Sequence, residues 1–348
     1  MKQAATTIVK PLPDHLFTSR GANAEMRWEA MAGFGYHTPT DRFFVRNHTS
    51  TPLIDAFTWR LRLHGPGVRC PVEFDYAQLL AMPSRTLDAA IECAGNGRRF
   101  YGTQQHDPAP GTQWGLGAIG VARWRGVRLA YLLKQAGIGP DAVEVVPSGL
   151  DAPFEDHGHV RRPLPVDKAM RDVLVAYEMN GRPLPADHGF PARLVVPGWA
   201  GIASIKWLGD IEVTTRHVLT PWNTVFYRGL TVLPAKSAFE LAWDATLVTG
   251  RPYVLHGRSW SGRGRIVRVE VSVDGGLTWR KAEHHGRHLV SAWLPWHVQW
   301  TPRRPGPHVL MARATDETGA TQPLIAARHP LGYDFDAVVR HPVQVIKG

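Results

Sequence analysis

The chain has 348 residues, 44% hydrophobic and 20% charged, a globular composition that excludes a disordered or fibrous protein. One hydrophobic core rarely grows past about 250–300 residues, so this length implies two domains. The formal charge of +10 invites a polyanionic partner, but the basic residues are scattered in doublets (Arg98-Arg99, Arg161-Arg162, Arg303-Arg304) with no basic helix or tail, which argues against nucleic acid.

Two cysteines, Cys70 and Cys93, exclude a disulfide framework and a four-cysteine iron–sulfur site, and no C-x-x-C-H offers a covalent haem attachment. Met1 to His15 lacks an apolar run of signal-peptide length. No stretch approaches the roughly 20 apolar residues of a spanning helix. A cytoplasmic protein with no membrane partner is expected; a removed export signal and a periplasmic protein would leave the same sequence.

Residues 1–40 read as an irregular lead-in. Phe43-Phe44-Val45-Arg46-Asn47-His48 reads as a short buried strand that delivers polar groups to its end, or as a plain strand terminus with a solvated histidine. Phe57, Trp59, Leu61 and Leu63 alternate with polar residues and predict a half-buried strand. Asp75 to Met82 predicts a short helix stopped by Pro83, and Arg85 to Glu92 a strand that ends at Cys93.

The stretch Ile91-Glu92-Cys93-Ala94-Gly95-Asn96-Gly97-Arg98-Arg99-Phe100 leads through a Pro/Gly-rich loop to Trp114. A thiol in a glycine-flanked loop, five residues before a guanidinium, is either a nucleophile or a soft metal ligand. Cys70 matches no motif and reads as incidental. Leu129, Leu132, Leu133 and Ala136 fall at helical spacing with Gly137 as cap, and Ala142 to Val146 predicts a strand leading to Gly149-Leu150-Asp151. His157 and His159 beside Glu155 and Asp156 invite a zinc reading, but no third or fourth ligand stands at convincing spacing, so an exposed or pocket-lining loop is preferred.

His188, Arg193, Ser204 and Lys206 sit beside glycines and prolines, as a nest of donors for phosphate would, or as separate turn residues. Beyond about residue 232, Val267, Val269, Val271 and Val273 alternate with polar residues, Asp274-Gly275-Gly276 turns the chain, and Val309–Ala314 and Pro342–Ile346 add strand-like runs. No long helix is evident, which predicts a small antiparallel β-sandwich.

These motifs, spread over roughly residues 41–346, resemble those of the sulfite oxidase family of molybdenum–pterin oxidoreductases, of the bacterial haem-free type. The resemblance implies an α+β chain. A mixed α/β molybdopterin-binding catalytic domain would occupy residues 1–231. An immunoglobulin-like β-sandwich dimerisation domain would occupy 232–348. It implies Cys93 as the molybdenum ligand, and cofactor contacts from Phe44, Val45, Arg46, Asn47, His48, Asp151, His188, Arg193, Ser204, Ile205 and Lys206. It implies Arg46, Arg98, Trp114 and Tyr227 as catalytic residues around a sulfite-sized oxyanion. The implied reaction is oxidation of sulfite to sulfate by oxygen-atom transfer, in a homodimer without haem in this chain, with electrons leaving to an external acceptor such as a cytochrome or oxygen.

Two departures bear on the substrate. Many animal members have a lysine four residues before the pocket tryptophan, where this chain has Pro110, and an arginine in the second domain that aligns with Leu294. A less cationic pocket keeps open another reduced sulfur compound, or reduction of an oxyanion such as nitrate. Outside the family, a non-catalytic β-sandwich binding protein predicts no bound metal, and a zinc hydrolase predicts zinc in place of molybdenum.

Overall fold

The computed structural model describes residues 7–348. Its framework is sheet, with short helices at the connections. The hairpin Ser84–Glu92 with Ile119–Arg128 is the spine of the first half, in a register that places Glu92 opposite Ile119. Leu174–Met179 adds to the far side of Ile119–Arg128 and is itself flanked by Arg182–Pro183 and Arg193–Val195. Burial rises along the first strand: Arg85 and Thr86 are exposed, whereas Ala89, Ala90, Ile91 and Glu92 are buried. The strand therefore carries Cys93 out of the core and into a protected loop.

A second five-stranded sheet runs in the order Val72–Asp75, Arg60–His64, Leu208–Thr214, Glu144–Gly149 and Leu164–Pro165. Tyr76–Ala81 forms the expected helix, capped by Asp75, whose carboxylate accepts from the Gln78 amide while Gln78 returns the bond to the Asp75 amide. Leu129–Gln135 forms the other, with Leu129, Leu132 and Leu133 buried and Gly137 at a φ of 70° just past its end. The core of this half gathers Leu61, Leu63, Leu129, Leu133, Val145, Val175, Leu194, Ile211 and Trp222.

A second apolar cluster runs from Ala235 to Val345 between two sheets. One has the order Lys236–Phe239, Tyr253–Trp260, Trp293–Trp300, Glu283–His284; the other has the order Ala245–Val248, His341–Ile346, Gly306–Asp316, Ile266–Ser272, Arg280–Lys281. Residues 326–339 leave this sandwich and pack back on the first half: Ala326, Phe335, Ala337 and Val339 share a cluster with Phe100, Tyr101 and Ala109. Among the described residues no helix is long and apolar enough to cross a membrane.

Local readings differ from the structure in four places. The lead-in contains a small sheet of Phe17–Ser19, Asn23–Met26 and Val45–Arg46, and residues 1–6 lie outside the described part. These strands are only two to four residues long, too short to show alternation. Phe57 is 87% exposed, because Asp55 turns the chain by accepting from the Phe57 amide through its side chain and from the Trp59 amide through its carbonyl, so the strand starts at Arg60. Val267 is exposed although Val269 and Val271 are buried, because a register shift between Ile266 and Arg268 breaks the alternation. The sandwich also includes one parallel pair, Ala245–Val248 with His341–Ile346, which joins strands distant in sequence.

Gly126 is where two strands of the spine press together. A Cβ there would fall 2.0 Å from the Val175 carbonyl oxygen, which belongs to backbone and has no rotamer to yield. Gly126→Ala is expected to lower the unfolding free energy by about 1–3 kcal/mol, read as a lower urea midpoint at unchanged slope. Gly35→Ala, which would meet nothing within 4 Å, is the matched control and should stay within about 0.5 kcal/mol of wild type.

Candidate active site

One cavity opens at the C-terminal end of the strand Ser84–Glu92. It is lined by Phe44, Arg46, Asn47, His48, Cys93, Asp151, His188, Arg193, Ser204, Ile205, Lys206 and Tyr227 from the expected set. Asp187, Gly201 and Trp207 also line it and were not singled out from sequence. Val45, Arg98 and Trp114 do not face it.

Cys93 is buried and free, and Cys70 is exposed and free, so no bridge joins them. The Cys93 amide donates to Ala118 O at 2.9 Å, and its carbonyl accepts from the Asn96 amide at 2.9 Å, which closes the loop into a turn. Arg46 comes from the short strand Val45–Arg46, whose alternation sends Val45 to the opposite side, into a cluster with Phe17 and Ala24. Arg46 reaches Tyr227 Oη at 3.4 Å, and His48 Nε2 lies 3.3 Å from the same oxygen. Burial works against the Arg46 charge, but Tyr227, Cys93 and Tyr333 more than offset it and hold its proton more tightly. Burial, together with the nearby Arg46 and Lys206 charges, drives the His48 imidazole far below its ordinary value, so it is neutral.

The other end of the cavity is built from the turns around residues 187–206. Lys206 Nζ donates to Asn47 Oδ1 and to Asp187 O, and lies 4.1 Å over the Trp207 ring. Burial, and then Arg193, lower its pKa well below the usual lysine range. Arg193 is pushed down to about 9 by burial, and its guanidinium is clamped by the carbonyls of Leu194, His188 and Ser204. Asp187 ties the region to the N-terminal segment by accepting from the amides of Val9 and Lys10 and from the Thr51 hydroxyl. His188 is buried, burial lowers its pKa well below the ordinary value, and its Nε2 has no hydrogen-bond partner among the described residues. Burial also raises the Asp151 carboxyl. Of the two loop histidines, His159 donates through Nδ1 to the Asp151 carbonyl, 2.7 Å away, while His157 packs on Phe154 and Phe226.

Arg98 and Trp114 support the site from behind. Trp114 is 1% exposed and lies beneath the cysteine loop, where Gly95 makes room: a Cβ there would fall 2.9 Å from the indole. It is thus a base for the loop and not a cavity wall. Arg98 Nε donates to the carbonyls of Leu331 and Gly332 at 3.0 and 3.2 Å, and Nη1 to Thr112 O at 2.9 Å. Its guanidinium sits 4.8 Å over the Tyr333 ring. Tyr333 in turn stacks on Tyr227 with ring centroids 5.0 Å apart and planes at 17°. Sequence reading missed Tyr333, because it arrives from a loop of the second domain with no periodicity and no glycine-rich signature.

The adjacent Asp334 anchors this loop: its amide donates to Ala94 O at 2.8 Å. Burial, with help from Glu92 and Asp336, pushes its carboxyl up to about 6 against the pull of Lys236. The folded chain therefore binds this proton more tightly than the unfolded chain does. The associated stability is complete below about pH 4 and is lost as the pH rises through about 6. Asp334→Asn keeps the shape, and asparagine tolerates the φ of 51° found there. The variant is expected to gain on the order of 2–3 kcal/mol over wild type at pH 7.5, and the gain should vanish near pH 4. Denaturation series across that range would check it; a gain independent of pH would contradict it.

Residues 48–222 match the family model for an oxidoreductase molybdopterin binding domain, and residues 229–338 match that for a Mo-co oxidoreductase dimerisation domain. The mitochondrial sulfite oxidase of Mus musculus is 34% identical over 334 residues, covering 88% of this chain and 60% of that protein. The sulfite oxidase of Gallus gallus is 35% identical, covering 86% of this chain and 71% of that protein. Among solved structures, the sulfane dehydrogenase SoxCD from Paracoccus pantotrophus superposes with a TM-score of 0.81 at 32% identity, over 91% of this chain and 82% of that one. The chain spans about 60% of the length of the rodent relatives it matches. With the two matched regions lying in this order along one chain, the chain belongs to the sulfite oxidase family of molybdopterin-binding oxidoreductases.

Proposed function

We propose that this chain holds a molybdenum–pterin cofactor above Cys93 and oxidises sulfite to sulfate, passing electrons to an external acceptor. The carrying observation is that Cys93, Arg46, His48 and Tyr227 line one cavity with Lys206 and His188 at its other end. The residues fit a phosphate-bearing, anionic cofactor. His188 Nε2 is a buried polar atom without a hydrogen-bond partner among the described residues, and Arg46, Arg193 and Lys206 bring three cations into a cavity that carries two carboxylates, Asp151 and Asp187. Both features call for an anion with hydrogen-bonding capacity.

When bound, such a cofactor supplies two-electron oxygen-atom transfer. The chain supplies the rest. The Cys93 sulfur is the soft ligand, delivered at a strand end. Lys206, His188 and the backbone nest around Arg193 and Ser204 hold the phosphate. Arg46 offers a planar fork to the substrate oxygens, and the Tyr227 hydroxyl donates beside it. Neutral His48, as the tautomer protonated on Nε2, donates to the oxygen of that hydroxyl and leaves its proton free for the substrate. The stacked Tyr227 and Tyr333 rings exclude water from one side of the site. A cytochrome or oxygen takes the electrons, and the second domain pairs two copies of the chain.

A second reading within the family has its own support. Leu294 is buried in the core of the sandwich opposite Ser259, and among the described residues the cavity lining ends at Tyr227, before the second domain, so it includes no second-domain cation. A reduced sulfur compound of lower charge than sulfite would suit that pocket. Steady-state assays with an artificial acceptor should decide. Sulfite is expected to be oxidised with kcat/KM at least tenfold above sulfane or thiosulfate substrates, with no reduction of nitrate. Arg46→Gln should raise KM for sulfite by about 10–100-fold, the range for losing a charged hydrogen bond. A preference for the other sulfur compounds would replace the substrate, and nitrate reduction would reverse the reaction.

A further inference from the structure

The residue before Cys93 is a fully buried glutamate. Glu92 Oε1 accepts from Lys236 Nζ and from Asn96 Nδ2, both at 2.9 Å, and Oε2 accepts from Trp260 Nε1 at 2.9 Å. Lys236 and Trp260 are direct cross-strand partners in the second domain, so one pair on one sheet grips a single carboxylate of the other domain. Lys236 Nζ also reaches Asn96 O at 3.3 Å, and Asn96 Oδ1 accepts from the Ala118 amide, the residue whose carbonyl takes the Cys93 amide. Glu92 and Asn96 thus bracket Cys93 on both sides, and three bonds of the bracket, two to Glu92 and one to Asn96, come from the two second-domain side chains.

We infer that Glu92 is a positioning residue for the Cys93 sulfur and that Lys236 and Trp260 set its position, which makes the second domain part of the scaffold of the metal ligand. This rests on the reading of Cys93 as that ligand. The physical reason is that the bonds from Lys236 and Trp260 fix the direction of the Glu92 side chain: with the lysine donor gone the strand end is free to shift, whether or not a charge remains there, and Cys93 shifts with it. A contact that served only to hold two domains together would not need to end on the residue adjoining the thiol.

The test uses the full chain in a Cys70→Ser background, so that Cys93 is the sole thiol. Two quantities are measured: the rate at which iodoacetamide alkylates Cys93 in protein made without cofactor, and the half-time for molybdenum loss from protein made with it. Lys236→Met leaves Glu92 buried and unpaired, and is expected to raise both rates roughly tenfold or more. Trp260→Phe keeps the ring and removes one donor, and should give a smaller rise in the same direction. If Lys236→Met does not fold, the double variant Glu92→Gln/Lys236→Met, which buries no unpaired charge, decides. It is expected to recover wild-type thermal stability while still alkylating and losing metal at least fivefold faster. Both rates within twofold of wild type in the double variant would overturn the inference and leave the pair a mere domain contact. The alkylation arm needs no metal, so it stands apart from the cofactor reading: if wild type binds no molybdenum, that reading fails while the effect of Glu92 on Cys93 is still measured.

Discussion

The arrangement depends on keeping cationic side chains out of water around one cavity. Moving an ammonium or guanidinium into a protein interior costs several kcal/mol even after relaxation. This chain does it three times, with Arg46, Arg193 and Lys206, and offsets the cost within the protein at Arg46 but only in part at Arg193 and Lys206. Arg193 is held by three backbone carbonyls, and Lys206 by Asn47 and the Asp187 carbonyl. The depressed pKa values of Lys206 and Arg193 are the residue of that incomplete compensation. An anionic ligand completes it. The glycine- and proline-rich turns are needed because only irregular backbone can aim so many carbonyls at one cation without breaking a sheet.

The second constraint is the strand end. A sheet hairpin buried on both faces near Glu92 leaves the cysteine loop little freedom, and Trp114 beneath Gly95 removes more of it. The second domain contributes from two directions. Its strands bring Lys236 and Trp260 to Glu92, and its loop at 329–335 brings carbonyls to Arg98 and a ring to Tyr227. Arg98, expected at the substrate, braces that loop and the Thr112 carbonyl through Nε and Nη1. A guanidinium has five donors in a rigid fork, which suits bracing several carbonyls as well as it suits binding an oxyanion.

What could be read in the sequence follows from how local each signal is. The helices at Tyr76–Ala81 and Leu129–Gln135 carry their own caps and spacing, so they were legible. The strand into Cys93 and the cavity residues from Arg46 to Tyr227 were legible because they sit in short distinctive motifs. Val45, Arg98 and Trp114 share those motifs but point elsewhere, since a motif specifies neighbours along the chain and not the direction of each side chain. Tyr333 and Lys236 were illegible: each acts across a distance of more than a hundred residues in sequence, through a fold contact that no local pattern announces. The lead-in sheet failed for the opposite reason, its strands of two to four residues being too short to repeat an alternation.

The most direct test of the central claim is the metal content of the purified protein and of its Cys93→Ser variant, both made in cells that supply molybdopterin. About one molybdenum per chain is expected in the wild type, with the pterin released on denaturation, and the variant is expected to lose the sulfur ligand and with it sulfite-dependent electron transfer. A wild-type chain that emerges from such cells with neither molybdenum nor pterin would contradict that claim.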